Sequence, residues 1–267
     1  MIAKDKEIEI IDRYISGISI NKLSKEYSLD WHWIERMLIR NGVLIRRQYK
    51  INENYFDKID TPNKAYILGF LYADGGNTSN YDKKRYCITI TLQESDSQIL
   101  YDIKNEIGYE APVKFRKYNE CKTATLDICN KHIVLKLHEY GVVPNKTLTI
   151  EFPEWLDEEL YPHFIRGYFD GDGCITQNSR KISPQISTSI VSTTNMCNSI
   201  AAIIADKCCV NTHVYDVGHE KCNQSIKTFM LVGNIQCKKF LDYLYKDSDL
   251  KLQRKYKKYI DWYNKNN

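Results

Sequence analysis

The chain has 267 residues, of which 43% are hydrophobic and 27% are charged, and its formal net charge is +4. A chain of this length and apolar content can bury a sizeable core and form one to three domains. No apolar run approaches the roughly 20 residues that a membrane span needs, and the N-terminus lacks the apolar core of a signal peptide. We therefore expect a cytoplasmic protein without a membrane partner. The net charge is too small to identify a nucleic-acid partner by itself.

The nine cysteines are odd in number, and none of them is in C-x-x-C spacing. This pattern shows neither a zinc site nor a secreted disulfide framework. It therefore predicts reduced, mostly buried thiols.

The first 48 residues are expected to form a separate helical module. Apolar residues follow helical spacing from Ile8, residues 16–19 interrupt the pattern, and two short helices are predicted over 20–27 and 31–40. Three helices in this order resemble a helix-turn-helix DNA-binding domain, whose last helix lies in the major groove. A plain three-helix packing module is the alternative. The candidate DNA contacts on the last helix are Trp31, His32, Glu35, Arg36 and Arg40.

A basic connector is predicted at 49–60, continuing a basic stretch that begins in the last helix of the module. Residues 36–50 contain five basic residues and no acid. Arg46 and Arg47 in this stretch are predicted to contact phosphates, and a solvated linker is the alternative.

One nine-residue pattern occurs twice in the chain. The sequence ILGFLYADG at 67–75 returns as IRGYFDGDG at 165–173, and each copy follows a proline and an apolar run. Two copies at domain-sized spacing indicate two versions of one fold, each contributing one carboxylate.

Each copy is predicted to be a helix that ends at its last aspartate, Asp74 or Asp172. Thr61 can cap the first helix at its N-terminus. A glycine follows each aspartate, Gly75 or Gly173, where a left-handed residue would stop the helix.

Gly69 and Gly167 lie inside the predicted helices, where glycine costs about 1 kcal/mol relative to alanine. Close approach of the two helix backbones would offset this cost. Helices packed side by side would bring Asp74 and Asp172 together at their C-terminal ends. Two carboxylates at the negative ends of two helix dipoles repel each other unless a divalent cation lies between them. The repeat therefore predicts a metal site.

The segments after the two motifs also repeat. Residues 85–92 alternate between apolar and polar side chains, as a half-buried strand does. The other predicted elements are helix 94–107, strands 113–118 and 122–129, helix 130–140, strand 184–193, helix 195–207, strands 211–218 and 225–232, and helix 234–245.

The fold class that follows is α+β, with a duplicated unit behind a small all-α module. The expected boundaries are 1–48 for the helical module, 49–60 for the linker, 61–155 for the first repeat and 156–267 for the second.

The pair of motifs resembles the LAGLIDADG homing endonucleases in their monomeric form, which carries two motifs in one chain. The resemblance implies two pseudo-symmetric αββαββα-type halves that form a saddle over DNA. In the family an acid often stands two residues before the catalytic aspartate, a position that Asp170 satisfies and Tyr72 does not. A pair of helix ends in an ordinary repeat protein is the alternative interpretation.

The resemblance also implies an activity, which is sequence-specific cleavage of both strands of DNA with Mg²⁺ or another divalent cation such as Mn²⁺. Asp74 and Asp172 would bind the metal, each serving one strand across the minor groove, to leave short 3′ overhangs. Family members place a lysine near each scissile phosphate. Lys146 matches the usual position in the first half, and Lys251 and Lys255 are both candidates in the second. The partner would be double-stranded DNA with a long asymmetric target site.

In the family, each half contributes an antiparallel sheet to the DNA surface, so polar strand residues are expected to face bases and phosphates. Simple solvent exposure is the alternative for any one of them. The candidates are Arg85, Thr89, Lys114, Arg116, Lys122, Thr125, Gln185, Ser187, Tyr215 and Lys227.

Two other functions are compatible with the same fold, namely an intron RNA maturase and a DNA-binding transcriptional regulator. Loss of the motif acids would be expected of the regulator, and both acids are present. The chain starts with Met1 rather than with a splicing nucleophile, which favours a freestanding or intron-encoded protein over an intein.

Overall fold

The computed structural model describes residues 4–16, 18–43, 45, 49–82, 85–178, 185–217 and 226–266. Contacts divide the chain into two compact units, Met1–Tyr49 and Lys50–Asn267. In these described ranges, no helix is long and apolar enough to cross a membrane.

The first unit consists of three helices, α1 (Lys4–Ile15), α2 (Ile20–Tyr27) and α3 (Trp31–Arg40). The bounds predicted for the second and third helices are confirmed. Ser19 caps α2 and Asp30 caps α3, because each side chain accepts a hydrogen bond from a backbone N–H of the first turn. The buried residues that form the core of this unit are Ile10, Tyr14, Ile20, Leu23, Ile34, Met37 and Leu38.

The second unit contains two halves with the same element order, helix–strand–strand–helix–strand–strand–helix, which confirms the predicted α+β fold class. The first half consists of α4 (Pro62–Asp74), β1 (Gly75–Asn77), β2 (Ile88–Gln93), α5 (Gln98–Glu106), β3 (Lys114–Tyr118), β4 (Cys121–Ile128) and α6 (Lys131–Glu139).

The second half repeats this order and is followed by one more helix. Its elements are α7 (Tyr161–Asp172), β5 (Gly173–Asn178), β6 (Gln185–Thr193), α8 (Thr194–Cys208), β7 (His213–Asp216), β8 (Ile226–Val232), α9 (Asn234–Tyr245) and the additional helix α10 (Gln253–Asn266). The hydrophobic pattern alone did not show the strand that follows each motif helix, which the αββαββα resemblance implied, and α10 was not predicted.

Each half forms a four-stranded antiparallel sheet, with the strand orders β1-β2-β4-β3 and β5-β6-β8-β7. Gly75 pairs with Ile90 in the first sheet, and Gly173 pairs with Ile190 at the equivalent place in the second. Alternate strand residues such as Ile90 and Ile190 are fully buried against the helices. The other face of the first sheet is polar in the way that the alternation in 85–92 predicted.

The glycines that follow the motif aspartates do not stop their helices in the predicted left-handed conformation. Gly75 and Gly173 have extended backbones with φ near −79° and −77°, because each begins the next strand. Glycine is needed at both positions because a side chain would clash with the preceding turn of the helix. A Cβ at Gly75 would lie 2.6 Å from the Leu71 carbonyl oxygen, and one at Gly173 would lie 2.1 Å from the Phe169 ring.

The prediction of reduced thiols is wrong for Cys87 and Cys129, which form a disulfide. The antiparallel register that pairs Ile88 with Ile128 places these two cysteines opposite each other, with their Cα atoms 4.1 Å apart. Their separation of 42 positions gave no sign of this pairing. The expectation of mostly buried thiols is also only half met. Among the described free cysteines, Cys197, Cys208 and Cys237 are buried, and Cys121, Cys174 and Cys209 are exposed.

Candidate active site

The motif helices α4 and α7 pack side by side with their backbones in contact. A Cβ placed on Gly69 would lie 2.0 Å from the carbonyl oxygen of Phe164, and one on Gly167 would lie 2.0 Å from that of Tyr66. No Cβ atom tolerates such a distance. Glycine at both positions is therefore what allows the helices to approach, and the approach fixes where their C-terminal ends meet.

The two motif aspartates lie at these adjoining ends. A Cβ on Gly171 would lie 2.3 Å from the Ala73 Cβ and 3.2 Å from Asp74 Oδ2, so the Asp74 carboxylate lies against the last turn of α7. Asp172 is the final residue of that turn. Gly171 thus provides a third close contact between the helices, which the sequence pattern had not suggested.

The surroundings disfavour ionisation of both carboxylates. Burial and then the charge of Asp172 raise the pKa of Asp74 to about 6. Desolvation by the surrounding protein likewise raises the pKa of Asp172 above its ordinary value. Lys255 and Lys146 act in the opposite direction on both groups. Two closely placed carboxylates with raised pKa values and two nearby ammonium groups are typical of a functional site.

Lys146 lies at the first-half side of this site. It is 9% exposed, and its Nζ donates a hydrogen bond of 2.5 Å to the carbonyl oxygen of Gly75, the residue after Asp74. Burial lowers the pKa of Lys146, and the charges of Asp172 and Asp74 oppose that shift.

Lys255 occupies the corresponding place at the end of α7. It is 4% exposed, and its Nζ donates hydrogen bonds to the carbonyl oxygens of Phe169 at 2.6 Å and Gly171 at 3.1 Å. Burial lowers the pKa of Lys255 to about 8. Lys251 instead donates to the Ser248 carbonyl oxygen at 2.6 Å. The structure thus brings Lys255, of the two candidates in the second half, to the end of the motif helix.

Asp170 fixes the chain segment that leads to Lys255. This carboxylate is 1% exposed and accepts hydrogen bonds from Tyr66 Oη at 2.9 Å, Tyr245 Oη at 2.6 Å and the backbone N–H of Leu252 at 2.7 Å. Its partners join both motif helices to the link between α9 and α10. Asp170 is therefore positioned to hold that link in place.

Tyr72 stands at the equivalent position in the first half, where the expected acid is missing. Its hydroxyl donates to the carbonyl oxygen of Tyr140, at the start of the link that carries Lys146. Both residues therefore tie a motif helix to a lysine-bearing link. Tyr72 does so by donating to a backbone carbonyl oxygen, and Asp170 does so by accepting from a backbone N–H. The first half thus connects its motif helix to the lysine segment without an acid at this position.

Two arginines that the sequence pattern did not indicate also hold the segments around the site in place. Arg166 is fully buried, and it donates to the carbonyl oxygens of Leu244 at 2.9 Å and Leu250 at 3.0 Å. Arg254, beside Lys255 in α10, forms an ion pair of 2.9 Å with Asp96 of the first half. An apolar motif helix gives no hint of a buried arginine whose acceptors are distant carbonyls.

The solvent-facing sides of the two sheets carry most of the predicted DNA contacts. Thr89 and Thr125 lie on this face in β2 and β4 with Lys114 and Arg116 of β3. In the second sheet the same face carries Gln185, Ser187 and Tyr215. Arg85 is exposed and precedes β2, where its backbone pairs with Asn80. Arg46 and Arg47 lie outside the described residues.

The predicted face is wrong for two lysines. Lys122 shares the face of the buried Leu126, and Lys227 shares the face of the buried Phe229. Both are at strand ends, where a long side chain can extend past the apolar core. Lys122 forms an ion pair of 3.5 Å with Glu94, and Lys227 forms one with Asp216. A basic residue in a strand does not by itself indicate the polar face, because the strand period decides it.

In the first unit, the candidate contacts on α3 divide into exposed and buried residues. His32, Arg36 and Arg40 are exposed, and Arg40 forms an ion pair of 3.2 Å with Glu7. Glu35 is 8% exposed, so it belongs to the packed side of the helix and not to a contact surface. Trp31 also packs against the core of the unit.

Comparison with known proteins agrees with this architecture. Residues 159–202 match the family of LAGLIDADG-like domains. The structure is similar to that of the LAGLIDADG homing endonuclease I-LtrWI bound to target DNA, with a TM-score of 0.51 and 12% identity over 80% of this chain and 91% of that chain. It is also similar to the LAGLIDADG homing endonuclease I-GzeII in complex with a DNA target, with a TM-score of 0.52 and 13% identity over 76% and 89%. No curated protein matches the sequence.

Proposed function

Because the chain contains a LAGLIDADG-like domain and has the two-half fold of the LAGLIDADG homing endonucleases, we propose that it is a sequence-specific endonuclease that cleaves both strands of DNA. The observation that carries the proposal is the convergence of Asp74 and Asp172 at the joined ends of α4 and α7. Both halves of the site belong to one chain, which supports action as a monomer on a long asymmetric target inside the cell.

The donor set fits a hard divalent cation such as Mg²⁺, which Asp74 and Asp172 would hold. Burial raises the pKa of both carboxylates, and the charge of Asp172 raises that of Asp74 further; a bound cation would favour the ionised form of both. Among the described residues there is no group of three or more histidine, cysteine and acidic side chains that could hold a metal. Backbone carbonyl groups, DNA phosphates and water would complete the ligand set, as Mg²⁺ sites commonly allow. A bound cation supplies an activated water and stabilises charge on the phosphoryl group and the leaving oxygen.

The chain's own residues position the site and supply positive charge. Lys146 and Lys255 lie beside the two carboxylates, so we propose that each lies near one scissile phosphate, where its charge would stabilise the negative charge that develops. Asp170 and Tyr72 hold the two lysine segments and act as positioning residues.

Metal dependence is the direct test of this function. The full chain is incubated with a pool of random duplexes in Mg²⁺, and the cut ends are captured by ligation and sequenced. We expect ends from one related set of sequences, with short 3′ overhangs, and no cleavage in EDTA, because two carboxylates alone cannot activate water or neutralise the phosphate. Binding of the recovered duplex should persist in EDTA. Equal cutting with and without chelator, or ends without a common sequence, would contradict the proposal.

The second-half lysine can be identified by paired substitutions. Lys255→Met keeps the buried stem but removes the ammonium group beside the site, and we expect it to lower the single-turnover cleavage rate about 10²- to 10³-fold, as loss of one charge-stabilising donor does. Lys251→Met is the control, since its Nζ is held by Ser248, and it should cut within about twofold of the wild type. Single-turnover cleavage measures both, with a thermal melt to verify folding. A stronger defect in the Lys251 variant would reverse the assignment.

We also propose that residues 1–48 form a DNA-binding helix-turn-helix module. The support is the exposed row of His32, Arg36 and Arg40 on α3. Deleting 1–48 should weaken affinity and reduce the slope of log K against log salt by about 0.9 for each phosphate that the module neutralises. Cleavage should survive at raised enzyme concentration, because the unit Lys50–Asn267 contains the whole site. The full-length double variant Arg36→Gln/Arg40→Gln should show part of the same change, and an unaltered footprint and salt slope would leave the module with a packing role only.

A further inference from the structure

The solvent-facing side of the second sheet, β5–β8, carries the apolar side chains of Val191, Ile226, Met230 and Val232, and we define the apolar row as all of these except Ile226. Helices α8 and α9 pack against the other side, where Ile190 and Phe229 are fully buried. Val191 and Val232 face away from these helices, and their side chains are 50% and 51% exposed. Met230, between them in the register, is partly exposed. The sheet therefore presents a short apolar row where a polar face was expected.

The apolar row is aligned along the strands and begins beside the active site. Val191 follows Ile190, the partner of Gly173 at the end of the motif, and Val232 pairs with Ser187 four positions away. At about 3.3 Å per residue the row is about 13 Å long, which corresponds to about four base pairs at about 3.4 Å each. Its cross-strand neighbours on this face are Ser187, Ser189, Thr228 and His213. The exposure of the two valines leaves their methyl groups accessible to a bound partner.

The first sheet has a different chemistry on the equivalent face. Lys114 and Arg116 lie there, and Lys114 forms an ion pair of 2.8 Å with Asp127, which also accepts a hydrogen bond of 2.8 Å from Thr89. The described residues of β5–β8 place no lysine or arginine on this face of their sheet. The two halves therefore offer different groups to the two ends of a bound duplex.

We propose that Val191, Met230 and Val232 contact the C5-methyl groups of thymines in the major groove of the second half-site. This inference rests on the proposed function, which places DNA on these sheet faces. The thymine methyl is the apolar group that the major groove presents, whereas the other base edges there are hydrogen-bond donors and acceptors. Those groups would lose their water partners against valine without gaining new ones. Lys114 and Arg116 suit guanine in the first half-site.

Exchange of thymine for deoxyuridine tests the proposal, because it removes only the methyl group. The full chain, kept in EDTA to prevent cutting, selects a consensus duplex from a random pool. That duplex is made with thymine throughout, and with deoxyuridine in one half, the other half or both, and fluorescence anisotropy measures Kd. In the second half-site we expect Kd to rise about fourfold for each methyl group that is removed from the apolar row, and in the first to stay within about twofold.

A double variant identifies which half-site the row contacts. Val191→Thr/Val232→Thr keeps side-chain shape and strand preference but replaces a methyl with a hydroxyl, so in one half-site it should reduce the deoxyuridine effect to no more than the contribution of the methyl group at Met230. Ile235→Thr is the control, since Ile235 is 76% exposed but belongs to α9 on the other side of the sheet, and it should keep the full effect. Three outcomes would overturn the proposal, namely no effect of deoxyuridine on Kd in either half, retention of the full effect by the double variant, or a pool that yields no sequence.

Cleavage of the same duplexes in Mg²⁺ separates this proposal from the endonuclease function. A duplex that is cut, with an affinity that deoxyuridine leaves unchanged, would overturn methyl contact and leave the endonuclease intact. A duplex that is bound with the deoxyuridine effect but never cut would support methyl contact and overturn the endonuclease.

Discussion

Asp74→Asn and Asp172→Asn are each expected to abolish double-strand cleavage, lowering its rate about 10³-fold or more. The amide keeps the size of the carboxylate but not its charge, so it is a poor ligand for a hard cation. Affinity for the target duplex in EDTA should change little, because the two residues lie at the helix ends and not on the sheet faces. The measurement is a time course on supercoiled plasmid that separates nicked from linear product. Nicking by a single variant is compatible with one carboxylate serving each strand.

Stability distinguishes lost chemistry from lost folding in these variants. The folded-state pKa of Asp74, about 6, lies above its ordinary value of 3.8, so between these pH values the folded protein holds more protons than the unfolded chain. Stability that is present at low pH is therefore lost as pH rises through about 6. Asp74→Asn removes this dependence and should melt at or above the wild-type temperature at pH 7. Linear product at the wild-type rate from either variant would refute the assignment, and a lower melting temperature would show that the loss was structural.

The parts of this fold that were predictable are those that local chemistry determines. The bounds of α2 and α3 follow from Ser19 and Asp30, whose side chains cap the helices. The motif helix α4 begins after Thr61 for the same reason. Glycine inside a helix lowers stability, so Gly69 indicated that another backbone packs closely against the helix at this point. The repeat suggested that this backbone is the second motif helix, and it is.

The features that were not predictable depend on contacts between distant residues. Lys251 and Lys255 are equivalent in local pattern, and what separates them is that Lys255 Nζ reaches carbonyl oxygens at the end of α7 whereas Lys251 Nζ donates to Ser248. The disulfide of Cys87 depends on the register of β2 against β4. Lys122 and Lys227 were assigned to the wrong sheet face because they were chosen for their charge. Which face a strand residue occupies depends instead on its position in the alternation along the strand. Helix α10 was not predicted because its basic residues resemble a solvated tail, although Tyr259 and Trp262 are buried.

Gly69→Ala and Gly167→Ala are expected to destabilise the protein, although the same change inside an exposed helix stabilises it by about 1 kcal/mol. At both positions the new Cβ would lie 2.0 Å from a backbone carbonyl oxygen of the other motif helix. Backbone cannot rotate aside as a side chain can, so the helices must separate. Overpacking typically costs about 1 to 3 kcal/mol, which corresponds to a melting temperature lower by about 3 to 10 °C for a unit of this size. Thermal melts in EDTA measure it.

Cutting should fall with stability in the glycine variants, because the same contact sets the positions of Asp74 and Asp172. A displacement of about 1 Å at a catalytic ligand can slow a positioned reaction about 100-fold. Gly76→Ala is the matched control for stability, since a Cβ there would lie 3.6 Å from the Thr89 carbonyl oxygen, an ordinary contact. It should melt close to the wild type. If Gly69→Ala melted as high as the wild type and cut normally, the backbone contact would not be what joins the two carboxylates, and the single composite site would lose its structural basis.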